Sequence, residues 1–308
     1  MAWFLPLMRR LYKVLKGSIQ AWREDHAERL AAALSYYTIF SLAPSLIIII
    51  GLTGLVVDQS RVENELLLQI QRSVGRDAAG FVEQVLQNRT ATSNEDNVLA
   101  TLLSVATVLF GASGAFAQLQ GALNTIWGVR AKPKRGIINF LRTRLFAFVI
   151  LLLIGFILML SLVVNTWLVL IDGWFRYLMP GPHLIFNVGN IVLSFGISFL
   201  LFAMLFKIMP DVSIRWHDIW VGAGVTALLF NVGKWGVGLY LGSTEIARIF
   251  GASGALVALL VWIYYSTLII LFGAEFIKVF ATQRGRAVLP AAHAINVKWV
   301  PEDAPLAD

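Results

Sequence analysis

Residues Ala255–Phe280 read ALVALLVWIYYSTLIILFGAEFIKVF, an apolar run with one acidic and one basic side chain in it. A helix needs about 20 such residues to cross a hydrocarbon core about 30 Å thick, so this run predicts a membrane span. Hydrophobic residues make up 58% of the 308-residue chain and charged residues only 14%, which excludes an ordinary soluble protein. Five more apolar runs precede it: Ile39–Val57, Val98–Leu119, Leu145–Ile171, Leu184–Ile208 and Ile219–Leu241. The sequence therefore predicts an all-α fold, a polytopic membrane protein with six transmembrane helices.

The positions of the basic residues predict the orientation of these helices. Eighteen lysines and arginines fall on one side of the predicted spans and six on the other, while Lys234 lies within the fifth run. Because lysine and arginine are retained on the cytoplasmic side, we expect both termini in the cytoplasm. This bias explains most of the net charge of +7. The charge therefore indicates membrane lipids as partners, with anionic headgroups at the cytoplasmic face, and not a nucleic acid.

Amphipathic patterns predict helices outside the spans. Residues 1–29 carry apolar side chains at helical spacing among basic ones, which predicts a helix lying on the cytoplasmic face of the membrane. Segment 58–97 is net acidic, and Val62, Leu66 and Ile70 repeat in it at the same spacing. It is predicted to form two short helices that cap the bundle on its outer face.

The remaining boundaries follow from composition. Residues 30–282 are predicted to form the transmembrane domain, and residues 283–308, rich in alanine and proline, a disordered cytoplasmic tail. Cysteine is absent, which excludes disulfides, thiolate catalysis and cysteine-based metal sites.

Proline and glycine mark irregular or close-packed positions in the spans. Pro44 removes a backbone hydrogen bond and predicts a kink or break in the first span. The hexapeptide FGASGA occurs twice, at Phe110–Ala115 and at Phe250–Ala255. Small residues let helices pack closely in lipid, so we expect a packing role more than contact with a substrate. The positions concerned are Gly111, Gly114, Gly251 and Gly254.

Polar side chains inside the spans are costly in hydrocarbon and indicate either a pathway or hydrogen bonds between helices. Lys234 and Glu275 stand out, but their predicted depths differ by more than about 10 Å, which argues against a direct ion pair. Glu275 could instead meet Lys278, one turn on, or a basic residue of the cytoplasmic loops. Candidates for a substrate pathway are Lys234, Glu275, Asn187, Asn190, Ser194, Asn165 and Tyr264. Interhelical bonding without a pathway is left open as the alternative.

No pattern of catalytic residues emerges from the sequence. The four histidines are scattered, no spacing of histidine and glutamate fits zinc, and no Walker sequence is present. We therefore predict no enzymatic activity, no catalytic residue, no cofactor, no metal and no ATP hydrolysis.

Five motifs occur in an order that resembles the YihY/BrkB family of bacterial inner-membrane proteins. They are LAAALSYYTIFSLAP at Leu30–Pro44, GALNTIW at Gly121–Trp127, MPD at Met209–Asp211, LLFNVGKWGVGLY at Leu228–Tyr240 and LFGAEF at Leu271–Phe276. The resemblance implies six helices and cytoplasmic termini. Members are called virulence or serum-resistance factors, candidate transporters, and ribonuclease BN, a name that we regard as a misassignment. Relatives often have Val-Pro-Asn where this chain has Met-Pro-Asp.

Three functions remain open on these grounds. The first, which we prefer, is a transporter or a protein that translocates a lipid or another amphiphile without ATP hydrolysis. The second is a non-transporting envelope scaffold, or a virulence or serum-resistance factor, acting through the acidic segment. The third, less favoured, is a membrane-bound ribonuclease using the basic residues of Arg130–Arg144. A homo-oligomer is left open.

Overall fold

The computed structural model describes residues 4–53, 58–73, 76–90, 98–132, 183–243, 254–286 and 288–297. Most of this chain is helical. The helices are α1 (Phe4–Glu24), α2 (Ala27–Thr53), α3 (Gln59–Ser73), α4 (Arg76–Thr90), α5 (Val98–Ile126), α6 (His183–Ile208), α7 (Trp216–Ser243) and α8 (Gly254–Gln283). The strands are β1 (Val129–Ala131), β2 (Val212–Ser213), β3 (Leu289–Pro290) and β4 (Ala294–Asn296). The predicted all-α character is confirmed, with four short strands added.

The described helices differ in how clearly they qualify as membrane spans. The Leu256–Gln283 part of α8 is long and apolar enough by itself, and α2 is a second if its two parts count as one span. These two parts, Ala27–Leu42 and Pro44–Ile50, meet at 52°, at the proline that lacks a backbone donor. The predicted third span, Leu145–Ile171, lies outside the described residues. The number of six spans therefore stays a prediction.

The long helices share one end of the bundle. Asn124, near the end of α5, bonds to Asp211, directly after α6. Lys278, near the end of α8, bonds to Asp25, directly before α2. The start of α2, the ends of α5, α6 and α8 and the start of α7 thus meet at what we call the shared end. It corresponds to the predicted cytoplasmic side.

Helix α8 occupies the centre of the packing, since it contacts α1, α2, α4, α5 and α7. The largest hydrophobic cluster lies toward the shared end and joins α2, α5, α6, α7 and α8. Its fully or almost fully buried members include Leu123, Phe206, Ile219, Leu271 and Ile277. The largest group of buried apolar side chains therefore surrounds the second half of α8.

Glycines allow α7 and α8 to approach closely. At three positions an added Cβ would overlap a side chain of the facing helix: Gly222 against Ile277, Gly273 against Thr226, and Gly233 against Tyr265. The pairs run in opposite directions along the two helices, as an antiparallel pair requires. Small residues here allow the close interhelical contact on which packing in lipid depends.

The glycines of the repeated hexapeptide differ in their surroundings. A Cβ added at Gly111 would lie 2.8 Å from Cγ of Pro44, so this glycine lets α5 pack against the bend of α2. A Cβ at Gly114 would meet no described atom within 4 Å. Gly254 is buried as the first residue of α8, and Gly251 lies outside the described residues.

The acidic segment forms the two short helices predicted for it, α3 and α4. Val62, Leu66 and Val82 are buried in a cluster with Leu46 and Ile50 of α2. Helix α4 also packs against the first half of α8. The two helices thus cover the end of the bundle opposite the shared end.

Asp58 stabilises the start of α3. Its carboxylate accepts hydrogen bonds from the Ser60 hydroxyl and from the backbone N–H groups of Ser60 and Arg61. These bonds, the hydroxyl one foremost, hold the pKa of Asp58 below its usual value.

Helix α1 forms as predicted, but one of its faces packs on protein. Val14 and Ser18 are buried. A Cβ added at Gly17 would lie 3.0 Å from a methyl carbon of Val279 on α8. The opposite face exposes Tyr12 and Ile19. Helix α1 is therefore part of the bundle as well as amphipathic.

The prediction of a disordered tail over 283–308 is wrong for residues 288–297. Strand β4 pairs with β1, with Val129 opposite Asn296 and Ala131 opposite Ala294. Strand β3 pairs with β2. The alanine- and proline-rich composition gave no indication of these strands. They form because their backbone groups pair with strands in the loops after α5 and α6. Residues 298–308 lie outside the described part of the chain.

Candidate functional site

The side chain of Glu275 is fully buried in α8, and neither of its carboxyl oxygens has a hydrogen-bond partner. The Lys278 ammonium lies 3.5 Å from one of these oxygens. The same ammonium donates a hydrogen bond of 2.8 Å to Asp25. We call Glu275, Lys278 and Asp25 the Glu275 cluster.

Local structure explains how these three residues meet. Glu275 and Lys278 are three apart on one helix, so they share a face. Asp25 lies in the break between α1 and α2, which His26 makes possible with a positive φ of 49°. Ala27 and Ala274 are fully buried, so small side chains occupy the region between α2 and α8.

The arrangement is costly if its role is only structural. A buried carboxylate without hydrogen bonds loses its hydration and gains little in return. A buried ion pair is often no better for stability than well-packed apolar side chains. Ionisable groups inside membrane helices are therefore functional candidates by default, and Glu275 is the described residue that fits this description best.

The structure agrees that Lys234 and Glu275 are too far apart to pair directly. Gly233 faces Tyr265, so Lys234 lies level with a point ten residues before Glu275 on α8. Ten residues of helix span roughly 15 Å. The alternative foreseen for Glu275, a contact with Lys278 one turn on, is what the structure shows.

The other predicted pathway residues that the structure describes lie away from Glu275. Tyr264 packs against the large hydrophobic cluster. Ser194 is half-buried, and its backbone carbonyl accepts a bond from the Ser198 hydroxyl. Asn187 and Asn190 lie near the start of α6, far from the shared end. Asn165 lies outside the described residues. Of the predicted candidates, the structure places Glu275 in a charged cluster, with Asp25 as a member that sequence reasoning missed.

A second polar cluster lies at the shared end around Asp211, which is 7% exposed. One carboxylate oxygen accepts a hydrogen bond of 2.9 Å from Asn124. The other accepts one of 3.2 Å from Gln120 and lies 2.7 Å from Nε2 of His293. The backbone N–H of Asp211 donates to the side-chain oxygen of Asn124, at 2.9 Å. We call these four residues the Asp211 cluster.

The Asp211 cluster joins three segments that are distant in the chain: the end of α5, the loop after α6, and the tail. Lys132 strengthens the junction, since its ammonium donates to the carbonyl of Ala292 at 2.8 Å. Sequence reasoning missed this site, although Asn124 and Asp211 lie in two of the motifs that carry the family resemblance. His293 was missed because the tail was predicted to be disordered.

Neither cluster has the composition of a metal site. Within the described ranges, no group of three or more histidine, aspartate or glutamate side chains could hold an ion. The side chains that contact Asp211 come from α5 and from the tail, so the arrangement holds the tail against the bundle.

Comparison with known proteins identifies the family. The sequence profile of the family described as "Virulence factor BrkB" matches residues 18–295. The chain belongs to the BrkB family. The match includes every member of both polar clusters, His293 of the tail among them. The predicted family resemblance is thus confirmed.

Individual relatives support a membrane protein. This BrkB-family chain is 27% identical over 281 residues to a UPF0761 membrane protein of Ralstonia nicotianae, covering 88% of this chain and 59% of the relative. It is 27% identical over 268 residues to one of Azotobacter vinelandii, covering 84% and 63%. The chain thus spans about 60% of the length of these curated relatives. No solved structure matches it. The chain is a membrane protein of the BrkB family.

Proposed function

We propose that this BrkB-family protein spans the bacterial inner membrane six times, with both termini in the cytoplasm, and translocates a lipid or another charged amphiphile without ATP hydrolysis. One observation carries the proposal: a fully buried carboxyl group without a hydrogen-bond partner, Glu275, lies in a helix apolar enough to cross a membrane. Such a group is costly to keep and is typical of transport pathways.

Surface residues support the membrane setting of helices beyond α8. Large apolar side chains remain exposed on α6 and α7: Val192, Leu200, Leu228 and Val232. Contact with lipid would explain this surface, which in water would favour aggregation. At the shared end Trp216 and Trp220 are exposed and stacked, and the Lys207 ammonium lies 5.3 Å from the Trp216 ring. Tryptophan and lysine together are typical of a membrane interface.

The charge distribution supports an amphiphile with an anionic headgroup. Basic side chains are exposed at the shared end: Arg130, Lys132, Arg215 and Arg284. They would attract anionic headgroups on the cytoplasmic leaflet. The bend at Pro44 makes α2 an irregular helix, a feature that it shares with the broken helices of transporters.

Reconstitution tests the proposal. Purified protein is placed in vesicles, and the transfer of fluorescent anionic and zwitterionic lipid analogues between leaflets is timed. We expect faster transfer than in empty vesicles, and a loss of roughly tenfold or more in Glu275→Gln, equivalent to about 1.4 kcal/mol or more in the barrier. Glu83→Gln, which changes an exposed carboxylate of α4, is the matched control and should behave as wild type. Transfer no faster than in empty vesicles would contradict the proposal.

A further inference from the structure

The charges of the Glu275 cluster do not balance without a proton. Glu275 and Asp25 supply two carboxyl groups, and Lys278 supplies one ammonium. With both carboxyl groups ionised the set carries one net negative charge. One proton on Glu275 makes the set neutral.

We infer that Glu275 is a proton-binding site, and that the Lys278 ammonium pairs with Asp25 when Glu275 holds the proton and with Glu275 when the proton has left. The coupling of this proton to translocation rests on the proposed function, whereas the proton site itself does not.

The distances from Lys278 to the two carboxyl groups correspond to the state in which Glu275 holds the proton. The Lys278 ammonium donates a hydrogen bond of 2.8 Å to Asp25 and lies 3.5 Å from Glu275. Its hydrogen bond is therefore to Asp25 and not to Glu275. Both Glu275 oxygens lack a hydrogen-bond partner. A proton on Glu275 removes the net charge that this position would otherwise hold in a dry environment.

The unequal exposure of the two carboxyl groups gives the exchange a direction. The Asp25 side chain is 29% exposed and can be hydrated when it loses the lysine. The Glu275 side chain is 0% exposed and cannot be. Once ionised, the buried Glu275 carboxylate is therefore stabilised more by the Lys278 ammonium than the hydrated Asp25 carboxylate is. A movement of less than about 1 Å brings the ammonium within hydrogen-bond distance of Glu275.

Among the described residues, the charged groups that act on Glu275 are Asp25 and Lys278. Two acidic groups on the neighbouring helices α2 and α7 are paired with other side chains. Asp218 of α7 accepts a 2.7 Å bond from Arg286, and Glu28 of α2 lies 3.7 Å from His26. Helix α4 meets α8 through apolar residues in the opposite half.

The step conserves atoms and charge. A proton from water at the shared end binds a carboxylate oxygen of Glu275, and the ammonium of Lys278 keeps all its protons throughout. When the proton returns to water, Lys278 leaves Asp25 for Glu275. This releases the turn between α1 and α2 from α8, so that proton binding changes how the N-terminal helices are held.

Infrared difference spectroscopy on the purified full chain tests the site directly. We expect a carbonyl band of a buried protonated carboxylic acid that disappears as the pH is raised, and that is absent in Glu275→Gln. Glu83→Gln should keep the band. A wild-type spectrum without it, or a band unchanged in Glu275→Gln, would overturn the inference.

Two further variants keep the test decisive even if Glu275→Gln folds poorly. Lys278→Met leaves Glu275 beside the negative Asp25, so the band should persist to higher pH than in wild type. Asp25→Asn removes the competing carboxylate, so that the Lys278 ammonium can pair with Glu275 and favour its ionised form. The band should then disappear at lower pH than in wild type. Shifts in the same direction, or no shift in either variant, would count against a shared lysine. A variant is included in the comparison only if it elutes as a single species in gel filtration, which shows that it is folded and homogeneous.

Lipid transfer measured with and without a pH gradient separates this inference from the proposed function. A gradient should change the wild-type rate and leave Glu275→Gln unaffected. A titrating band without lipid transfer would support the proton site and refute the proposed function. Lipid transfer without a band, and insensitive to the gradient, would support the proposed function and refute the inference.

Discussion

At the scale of single residues, Asp211 shows how one side chain can hold distant segments together. Its carboxylate meets amide donors from α5 and the imidazole of His293 from the tail. Its backbone carbonyl also accepts a 2.9 Å bond from Ala291. Because the residue is almost fully buried, few of these groups could turn to water instead. Aspartate differs here from the asparagine that we expect in relatives, since both its oxygens accept hydrogen bonds.

Replacing Asp211 should therefore destabilise the protein. Asp211→Ala leaves partly buried donors without an acceptor, and we expect a loss of about 1–3 kcal/mol. Asp211→Asn keeps one acceptor and should cost less. Unfolding temperatures in detergent measure both effects. Ser213→Ala, at an exposed position in the adjoining strand β2, is the control. Equal unfolding temperatures for Asp211→Ala and Ser213→Ala would show that the cluster contributes nothing.

At the scale of helices, the close contact of α7 and α8 depends on glycines that the sequence marks only by their number. Gly222 and Gly233 face large side chains of α8, whereas a Cβ at Gly236 would meet no described atom within 4 Å. Sequence alone does not distinguish these three positions, because the distinction depends on which face of α7 meets α8.

The contact predicts opposite effects for the same substitution on one helix. Gly233→Ala should overlap Tyr265 and push the helices apart, with a loss of about 1–3 kcal/mol. Gly236→Ala should be neutral or slightly stabilising, since alanine favours helix by about 1 kcal/mol over glycine. Thermal unfolding of both variants under identical conditions provides the comparison. A Gly233→Ala protein as stable as Gly236→Ala would contradict the packing described here.

The packing of the short helices α3 and α4 limits how the scaffold alternative can be tested. Deleting Val62–Asn88 would remove the cover from Leu46 and Ile50, which pack with buried residues of these helices. Loss of a partner after such a deletion could then follow from a damaged bundle. Replacing exposed acidic side chains such as Glu83 alters the surface and leaves the buried contacts in place.

At the scale of the whole molecule, the tail closes the shared end. It contributes β3 and β4, the imidazole bound to Asp211, and Arg286, which donates a 2.7 Å bond to the nearly buried Asp218 at the start of α7. These contacts reach the ends of α5 and α6 and the start of α7.

Two truncations test this role. A chain ending after Gly285 loses all these contacts and leaves Asp218 buried without Arg286, so we expect a clearly lower unfolding temperature. A chain ending after Val297 keeps both strands and serves as the control. Protease resistance at the shared end should follow the same order. Equal stability of the two truncated proteins would show that the tail is not part of the folded bundle.

Several features could be predicted from sequence because they depend on local pattern. Apolar length predicts α8 as a span, helical periodicity predicts α1, α3 and α4, and proline predicts the bend of α2. The contact of Glu275 with Lys278 belongs here too, since three residues on a helix fix their separation. The motifs predicted the family for the same reason, because each is a short contiguous run.

The remaining features depend on contacts between residues far apart in the chain. Asp25 and Lys278 are 253 residues apart, and Asp211 and His293 are 82 apart. Neither composition nor periodicity contains such pairings. The tail was therefore predicted to be disordered, Asp25 was missed beside Glu275, and the Asp211 cluster was not predicted. Folding brings these groups into a poorly hydrated interior where each polar atom needs a partner. The tertiary structure therefore adds the partners of Asp211 and shows that Glu275 has no hydrogen-bond partner.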